Sequence, residues 1–474
     1  MAPMVRIDRV LSGLPSDIVT TDQDIISGYT TDFRRQYHGS TFALLRPRTT
    51  EEVQQIVRAC AAHRVGLVPQ GGNTSYCTGA TPSNNGDELV LSLERMTTPR
   101  EIDAANLSVT VDAGMILSEL QELAASADLM LPLVLGSQQS CRIGGNLSTN
   151  AGGVNVVRYG VARDLVLGLE VVLPDGSLYS ELSPLRKNNA GYDVKQLFLG
   201  AEGTLGVITG VSLKLARKPR QIVTAFVAIR DISGLTSIFN QTQVETGEAI
   251  LSFEYISGSS LQLILRTNSN LRHPLENSSE HYLLLEVATA SPTLNLEDTV
   301  SAMLARFFEN NLIIDATIAA SESQRAELWY LRENIPEAEV LNGGSLKHDI
   351  AVRVSRLPAF IESATAIVKR EADDAILSVY GHVGDGNVHF NVVPPPSSKK
   401  TGFKERFERE ISPKIYDLAF KMGGTFSAEY GIGRVKLDLL RQYGATGKIE
   451  LMRVLKEALD PLLIMNPGKV VPRR

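Results

Sequence analysis

Cysteine is scarce. Cys60, Cys77 and Cys141 are the only three in 474 residues, and no two form a CxxC pair. That scarcity excludes a disulfide framework and a zinc ribbon, and it fits a reducing compartment. Long apolar runs are also missing: no stretch reaches the roughly 18 residues that a membrane-spanning helix needs. The opening segment, MAPMVRIDRVLSGLP, lacks the apolar core and cleavage pattern of a secretory leader. We expect no membrane span and a cytoplasmic location. There is no basic excess, since the net charge is −6. Nothing here favours nucleic acid or an anionic membrane, and a basic-patch binder is disfavoured. Two phosphate-binding signatures are absent as well. No GxGxxG joins a strand to a helix and no GxxxxGK[ST] occurs, which disfavours a nicotinamide Rossmann domain and a P-loop enzyme.

What is present is an ordinary globular composition, 43% hydrophobic, in a chain long enough for two to four domains at about 150 residues each. From Ala43 to about Leu215 strands and helices alternate. Thr49 or Thr50 caps a helix with apolar residues at helical spacing (Val53, Ile56, Val57, Cys60). The character changes around Lys218–Arg220. Residues 221–425 read as an α+β region with an antiparallel sheet, helices at 322–340 and 355–374, and a polar loop at 394–402. A helix at 445–459 follows. No internal repeat is visible.

One stretch of this region carries chemistry. Val379–Asn391 reads VYGHVGDGNVHFN, two alternating apolar segments around a Gly/Asp/Asn turn. A turn centred between Asp385 and Gly386 places His382 and His389 directly opposite on one face, with Asn391 on the same face. Two imidazoles so placed can hold one divalent metal; a pair of inert core histidines is the alternative. Glu429, in the otherwise uncharged run GGTFSAEYGIG, is a carboxylate set in a site, or else a helix cap or a partner of Arg434. Two His and one Glu form a catalytic zinc-type set that leaves positions open. Spacing alone does not join Glu429 to the histidines.

The first half holds four loops rich in Gly, Ser, Thr and Asn: 69–75, 135–153, 158–164 and 200–209. Such loops expose backbone N–H groups to phosphate oxygens. Several within one region point to a dinucleotide-sized cofactor outside a Rossmann fold.

The motifs PQGGNTS, GGNLSTNAGG, YGVARDLVLGLEVVLPDG, KNNAGYDVKQLFLGAEGTLGVIT, GHVGDGNVHFN, SAEYGIG and MNPGKV stand here in the order found in flavin-dependent D-2-hydroxyacid dehydrogenases. The chain resembles that family, which has the vanillyl-alcohol oxidase / p-cresol methylhydroxylase fold. The family includes D-2-hydroxyglutarate dehydrogenase, D-lactate dehydrogenase and the glycolate oxidase flavin subunit. The resemblance implies an α+β architecture: a two-subdomain FAD-binding domain at 1–219, a substrate domain with an antiparallel sheet at 220–425, and a C-terminal segment at 426–474 completing the FAD and metal sites. Non-covalent FAD would be held by Gly71, Gly72, Asn73, Thr74 and Ser75. Gly136, Ser140, Gly144, Gly145, Asn146, Thr149 and Gly152 would serve from the second loop, with Gly203, Gly206, Ile208 and Asn466. His382, His389 and Glu429 match the family's divalent metal ligands, usually zinc. Arg332, Lys347 and Asn391 match substrate contacts, Arg and Lys for a carboxylate. Taken without the resemblance, Arg332 reads as an i,i+4 helix ion pair and Lys347 as an exposed strand charge.

Two positions depart from the family pattern. Tyr430 stands where the family commonly has a histidine base, which leaves Tyr430 or His348 as proton acceptor. Pro336 stands where hydroxyglutarate enzymes often have Thr, so the site lacks a hydroxyl partner for a distal group. The implied reaction is oxidation of a D-2-hydroxy acid to the 2-oxo acid. An electron-transfer flavoprotein or quinone-linked carrier would accept the electrons, and a homodimer is the family-level expectation. The alternatives are a redox-neutral FAD transferase of the same fold and a non-autonomous flavin subunit of a glycolate-oxidase-like complex.

Overall fold

A computed structural model describes residues 3–395 and 402–472. Of the polar loop expected at 394–402, residues 396–401 lie outside the described residues. The chain forms two compact units. The first comprises Met1–Gly153, Gly160–Lys218 and Glu429–Arg474; the second comprises Val154–Tyr159 and Pro219–Ala428.

In the first unit a four-stranded sheet runs in the spatial order Val19–Thr20, Leu44–Leu45, Glu88–Ser92, Gly66–Gln70. The last three strands in this order pair parallel, and the first pairs antiparallel. The helix Thr50–His63 feeds this sheet. Thr49 caps it by accepting from the Glu52 N–H at 3.3 Å, and its buried stripe is Val53, Ile56, Val57 and Cys60. Strand Gly66–Gln70 then delivers the chain into the first Gly-rich loop. Met465 bridges beside Leu67, so the C-terminal segment extends the same sheet. A second sheet of five antiparallel strands completes the unit.

The second unit is built on seven strands: β1 Gln221–Ile229, β2 Ile250–Ser257, β3 His281–Thr289, β4 Ile313–Ile318, β5 Asp349–Ala351, β6 Ile376–His382 and β7 Asn387–Val393. Their order is β4-β1-β3-β2-β6-β7-β5, antiparallel throughout. The two-residue side-chain period divides each strand between two cores. Ala225, Val227 and Ile229 join Phe253, Val300, Phe307 and Phe360 on one face. Phe226 and Ala228 join Ile256, Tyr282, Leu328 and Tyr380 on the other. Val154–Tyr159 belongs to this unit because Arg158 donates to the Ala288 carbonyl at the end of β3, at 2.6 Å.

The region 322–340 is two helices, α1 Glu322–Glu333 and α2 Ile335–Leu341. Pro336 explains the break, since it lacks an N–H and fits only the first turn of a new helix. No helix among the described residues is long and apolar enough to cross a membrane.

Candidate active site

The hairpin β6–β7 forms as its sequence pattern demands, but its register differs from the symmetric expectation. His389 pairs with Tyr380, not with His382, while His382 pairs with Glu254 of β2. The loop is Val383–Gly386, one residue earlier than expected. Gly386 takes the left-handed conformation at φ 76, and a Cβ there would lie 2.0 Å from the Val352 carbonyl oxygen. Asp385 accepts from the Asn387 N–H at 3.0 Å and closes the turn. The two histidines are therefore diagonal neighbours on one face, with ring centroids 5.6 Å apart and planes at 85°.

Glu254 is the residue at the centre of this face. It is fully buried, and its Oε1 lies 2.7 Å from His382 Nδ1. Its Oε2 accepts from Arg332 Nε at 2.8 Å, and Arg332 Nη2 is also at 2.8 Å. Burial pushes the Glu254 carboxyl up, but the charges of His382 and Arg332 and their hydrogen bonds outweigh it and bring it to about 2. Arg332 also stacks on the Tyr380 ring, 4.6 Å from the centroid. The Arg332 ion pair thus crosses from α1 to the sheet; it is not the i,i+4 helix pair that the helical spacing allows. His389 is held well below its ordinary pKa by burial and by the neighbouring His382, Arg332 and Lys347 charges. A neutral ring is the form that binds a metal.

A second buried acid, Glu339 of α2, organises the rest. Lys347 Nζ lies 2.8 Å from its Oε2, and Ser345 donates to the same oxygen at 2.6 Å. Asn391 donates to Oε1 at 2.9 Å and leaves its own Oδ1 buried without a partner. Lys347 is accordingly a nearly buried ion pair and not an exposed strand charge. Neither glutamate appears among the sequence candidates. For Glu254 a signal existed: it is the one charge in the strand ILSFEYIS.

His348 lies elsewhere, in the core of the second unit. Its Nδ1 lies 2.8 Å from the Phe390 carbonyl and its Nε2 2.8 Å from Ser412 Oγ. Tyr430, in the first unit, packs edge-on against Tyr76 with centroids 4.8 Å apart, and Lys436 Nζ lies 5.3 Å from its ring centroid. Glu429 follows Ala428, whose N–H donates to the carbonyl of Asp349, the residue paired with His389. His382 and His389 belong to the second unit, and Glu429 opens the last segment of the first unit.

The Gly-rich loops meet within the first unit. A Cβ on Gly71 would be 3.4 Å from Gly145, and one on Gly72 would be 2.1 Å from the Ser140 carbonyl oxygen. A Cβ on Gly203 would touch Pro69, just before the first loop, at 3.2 Å. Asn466 donates to the carbonyls of Gly79 and Glu202 at 2.9 and 2.7 Å. Several of these positions have a packing reason of their own. A Cβ at Gly144 would be 2.8 Å from Ala113 Cβ and one at Gly206 2.6 Å from Val171. Asn73 donates to the Thr31 carbonyl, Ser75 Oγ accepts from the Cys77 N–H, and Thr149 donates back to Gly145. Ile208 is a buried strand residue, Gly152 is buried and Thr74 is half-buried.

Residues 218–470 match the family of FAD linked oxidases, C-terminal domain, and residues 42–180 match the FAD binding domain. The chain belongs to the FAD-linked oxidases, in their D-2-hydroxyacid dehydrogenase branch. It is 36% identical over 469 residues to the mitochondrial D-2-hydroxyglutarate dehydrogenase of Bos taurus, covering 99% of this chain and 83% of the relative. To the D-2-hydroxyglutarate dehydrogenase of Stutzerimonas stutzeri it is 33% identical over 473 residues, covering 99% of both. The solved structure of p-cresol methylhydroxylase with substrate bound aligns at TM-score 0.76 and 16% identity, covering 98% of this chain and 96% of that one, and shows the shared fold.

The first unit of this family member fits a flavin cofactor on its own geometry. The Oδ1 atoms of Asn146 and Asn466 are buried without partners and are free to accept. No atom lies within 4 Å of a Cβ built on Gly136, and only Gly71 Cα, at 3.8 Å, approaches one on Gly145. Open backbone between closely packed loops is what a large planar, phosphate-bearing ligand needs.

Proposed function

We propose that this protein oxidises a D-2-hydroxy acid of the hydroxyglutarate or lactate class to its 2-oxo acid. The observation that carries this reading is Glu254. One buried acid holds both Arg332, a carboxylate-binding cation, and His382, a metal-ligand type. Anion recognition and metal chemistry therefore fall on one face of one sheet. The names and near full-length coverage of the dehydrogenase relatives support the substrate class.

The residues divide the work. Arg332 and Lys347 receive substrate carboxylate, and their buried partners Glu254 and Glu339 fix the two cations beforehand, so little reorganisation remains on binding. Asn391 offers its free Oδ1 to a substrate hydroxyl. His382, His389 and Glu429 would hold a divalent ion, zinc by ligand type. Such an ion supplies a Lewis acid that eases loss of the hydroxyl proton. Tyr430 receives that proton. His348 is the weaker candidate, because its ring nitrogens already have partners in the core. Non-covalent FAD, held by the loops at 71–75, 136–152 and 203–208 and by Asn466, would supply the two-electron acceptor. An electron-transfer flavoprotein or quinone-linked carrier as reoxidant, zinc as the metal, and a homodimer are supported by the family resemblance. A cytoplasmic location is supported by three buried cysteines that form no disulfide.

Anaerobic bleaching of the oxidised-flavin band by a panel of D- and L-2-hydroxy acids, with and without chelator, tests the reading. We expect rapid bleaching by D-acids that chelation abolishes. No bleaching by any of them would overturn it in favour of a transferase or partner-dependent subunit.

A further inference from the structure

Glu202, from the run GAEGTLG, is a buried carboxylate to which the reaction above gives no role. It sits at φ 50 in the first unit, and its acceptors face backbone. Oε1 accepts from the Ile432 N–H at 2.7 Å and the Gly433 N–H at 3.2 Å, and Oε2 accepts from the Gly433 N–H at 3.0 Å. Its own N–H donates to the Ser148 carbonyl at 2.8 Å, and its carbonyl accepts from Asn466 Nδ2 at 2.7 Å. Glycines make room for the carboxylate on two sides. A Cβ on Gly79 would be 2.7 Å from Oε2, and one on Gly431 would be 2.6 Å from Oε1.

These bonds close a ring. From Ser148 the chain runs five residues to Gly153, whose N–H donates to Glu429 Oε1 at 3.1 Å. From Glu429 it runs through Tyr430 to Ile432 and Gly433, which return to Glu202 and so to Ser148. Gly153 stands at φ 95 with the Val134 carbonyl oxygen 2.1 Å from any Cβ, so only glycine fits at this corner of the ring. Each segment of the ring carries a group assigned above: Thr149 and Gly152 toward FAD, Glu429 toward metal, Tyr430 toward the substrate proton.

We propose that Glu202 is a positioning residue that locks the Glu429–Gly433 turn to the cofactor loop after Ser148, so that metal ligand and proton acceptor keep their places relative to the flavin site. This rests on the reading of Glu429 and Tyr430 given above. The physical reason is that a buried carboxylate accepting several backbone N–H bonds is a rigid anchor, and that partners of a metal ligand's segment orient the ligand. Burial holds the Glu202 carboxyl above its usual range, and the N–H bonds from Ile432 and Gly433 and then the Lys436 charge oppose that shift.

The test uses FAD-loaded full-length protein with Glu202→Gln and, to displace the carboxylate without removing its charge, Gly431→Ala. The first readout is hydrogen–deuterium exchange of the peptide spanning 429–433. We expect exchange there to rise roughly tenfold in both variants, the size expected for losing about one hydrogen bond of net stability. Exchange elsewhere in the first unit and FAD content should hold. The second readout is zinc affinity by chelator competition, expected to fall about 10- to 100-fold. Unchanged exchange at 429–433, or exchange rising throughout the unit with loss of FAD, would overturn the inference. A wild-type protein that takes up no zinc would overturn the metal assignment alone, and the exchange result then decides the role of Glu202 by itself.

Discussion

His382 and Glu254 face each other in register across β6 and β2, with Nδ1 and Oε1 2.7 Å apart. With Nδ1 bound to the acid, Nε2 is the nitrogen that would serve if His382 holds a metal as proposed above. The same acid holds Arg332, so one substitution reaches both the metal and the anion chemistry.

Glu254→Gln therefore has a compound effect. It leaves Arg332 as a buried cation without its carboxylate and lets the His382 ring turn. Breaking a buried pair from one side costs about 3–5 kcal/mol, and losing an outer partner of a metal ligand costs about 10- to 100-fold in metal affinity or activity. Thermal unfolding and chelator competition measure the two separately, and both should move.

Arg332→Lys should lower kcat/KM for the hydroxy acid by roughly 10- to 100-fold, mostly through KM. Lysine loses the planar fork that meets Glu254 through two nitrogens, and it loses the stacking on Tyr380. Steady-state kinetics with an artificial electron acceptor reads this. A variant with unchanged KM would remove Arg332 from substrate binding.

Gly145→Ala and Gly72→Ala separate cofactor contact from packing. A Cβ on Gly145 meets only Gly71 Cα at 3.8 Å, so the apoprotein should tolerate it. If flavin occupies that space, its dissociation constant rises while the apoprotein melting temperature stays put. At Gly72 the Ser140 carbonyl oxygen is 2.1 Å from the same atom, so the loop itself must shift and the apoprotein melts lower. Flavin fluorescence titration and calorimetry distinguish the two patterns.

Lys469, in the terminal NPGK run, gives a pH dependence of known sign. Burial, partly offset by the Glu88 charge, lowers its ammonium to about 8. In the unfolded chain it titrates near the ordinary value of about 10.4. The unfolded state thus binds more protons between about pH 8 and pH 10.4, and stability from this group rises with pH across that window. Below pH 8 the full penalty, on the order of a few kcal/mol, is in force. Lys469→Met should be more stable than wild type at pH 7, and the difference should shrink toward pH 10. A pH-independent difference in melting temperature would contradict the assignment.

Much of this protein is determined by its sequence alone. Periodicity and turn chemistry specify the helix capped by Thr49, the β6–β7 hairpin, and the switch from one composition to another near Lys218, because these are interactions within a few residues. The ordered motifs specify the family, and the Gly-rich loops specify a large phosphate-bearing cofactor. Tertiary structure decides the rest. The hairpin register turns on Gly386 fitting under the Val352 carbonyl, a contact 34 residues away in sequence. That Arg332 and Lys347 are paired with Glu254 and Glu339, and that His348 is a core residue, follows from where α1, α2 and β5 pack. Glu202 reaches the turn after Glu429 across 230 residues. A carboxylate's role is set by its partners' positions, and burial makes those partners obligatory; neither quantity is written in local spacing.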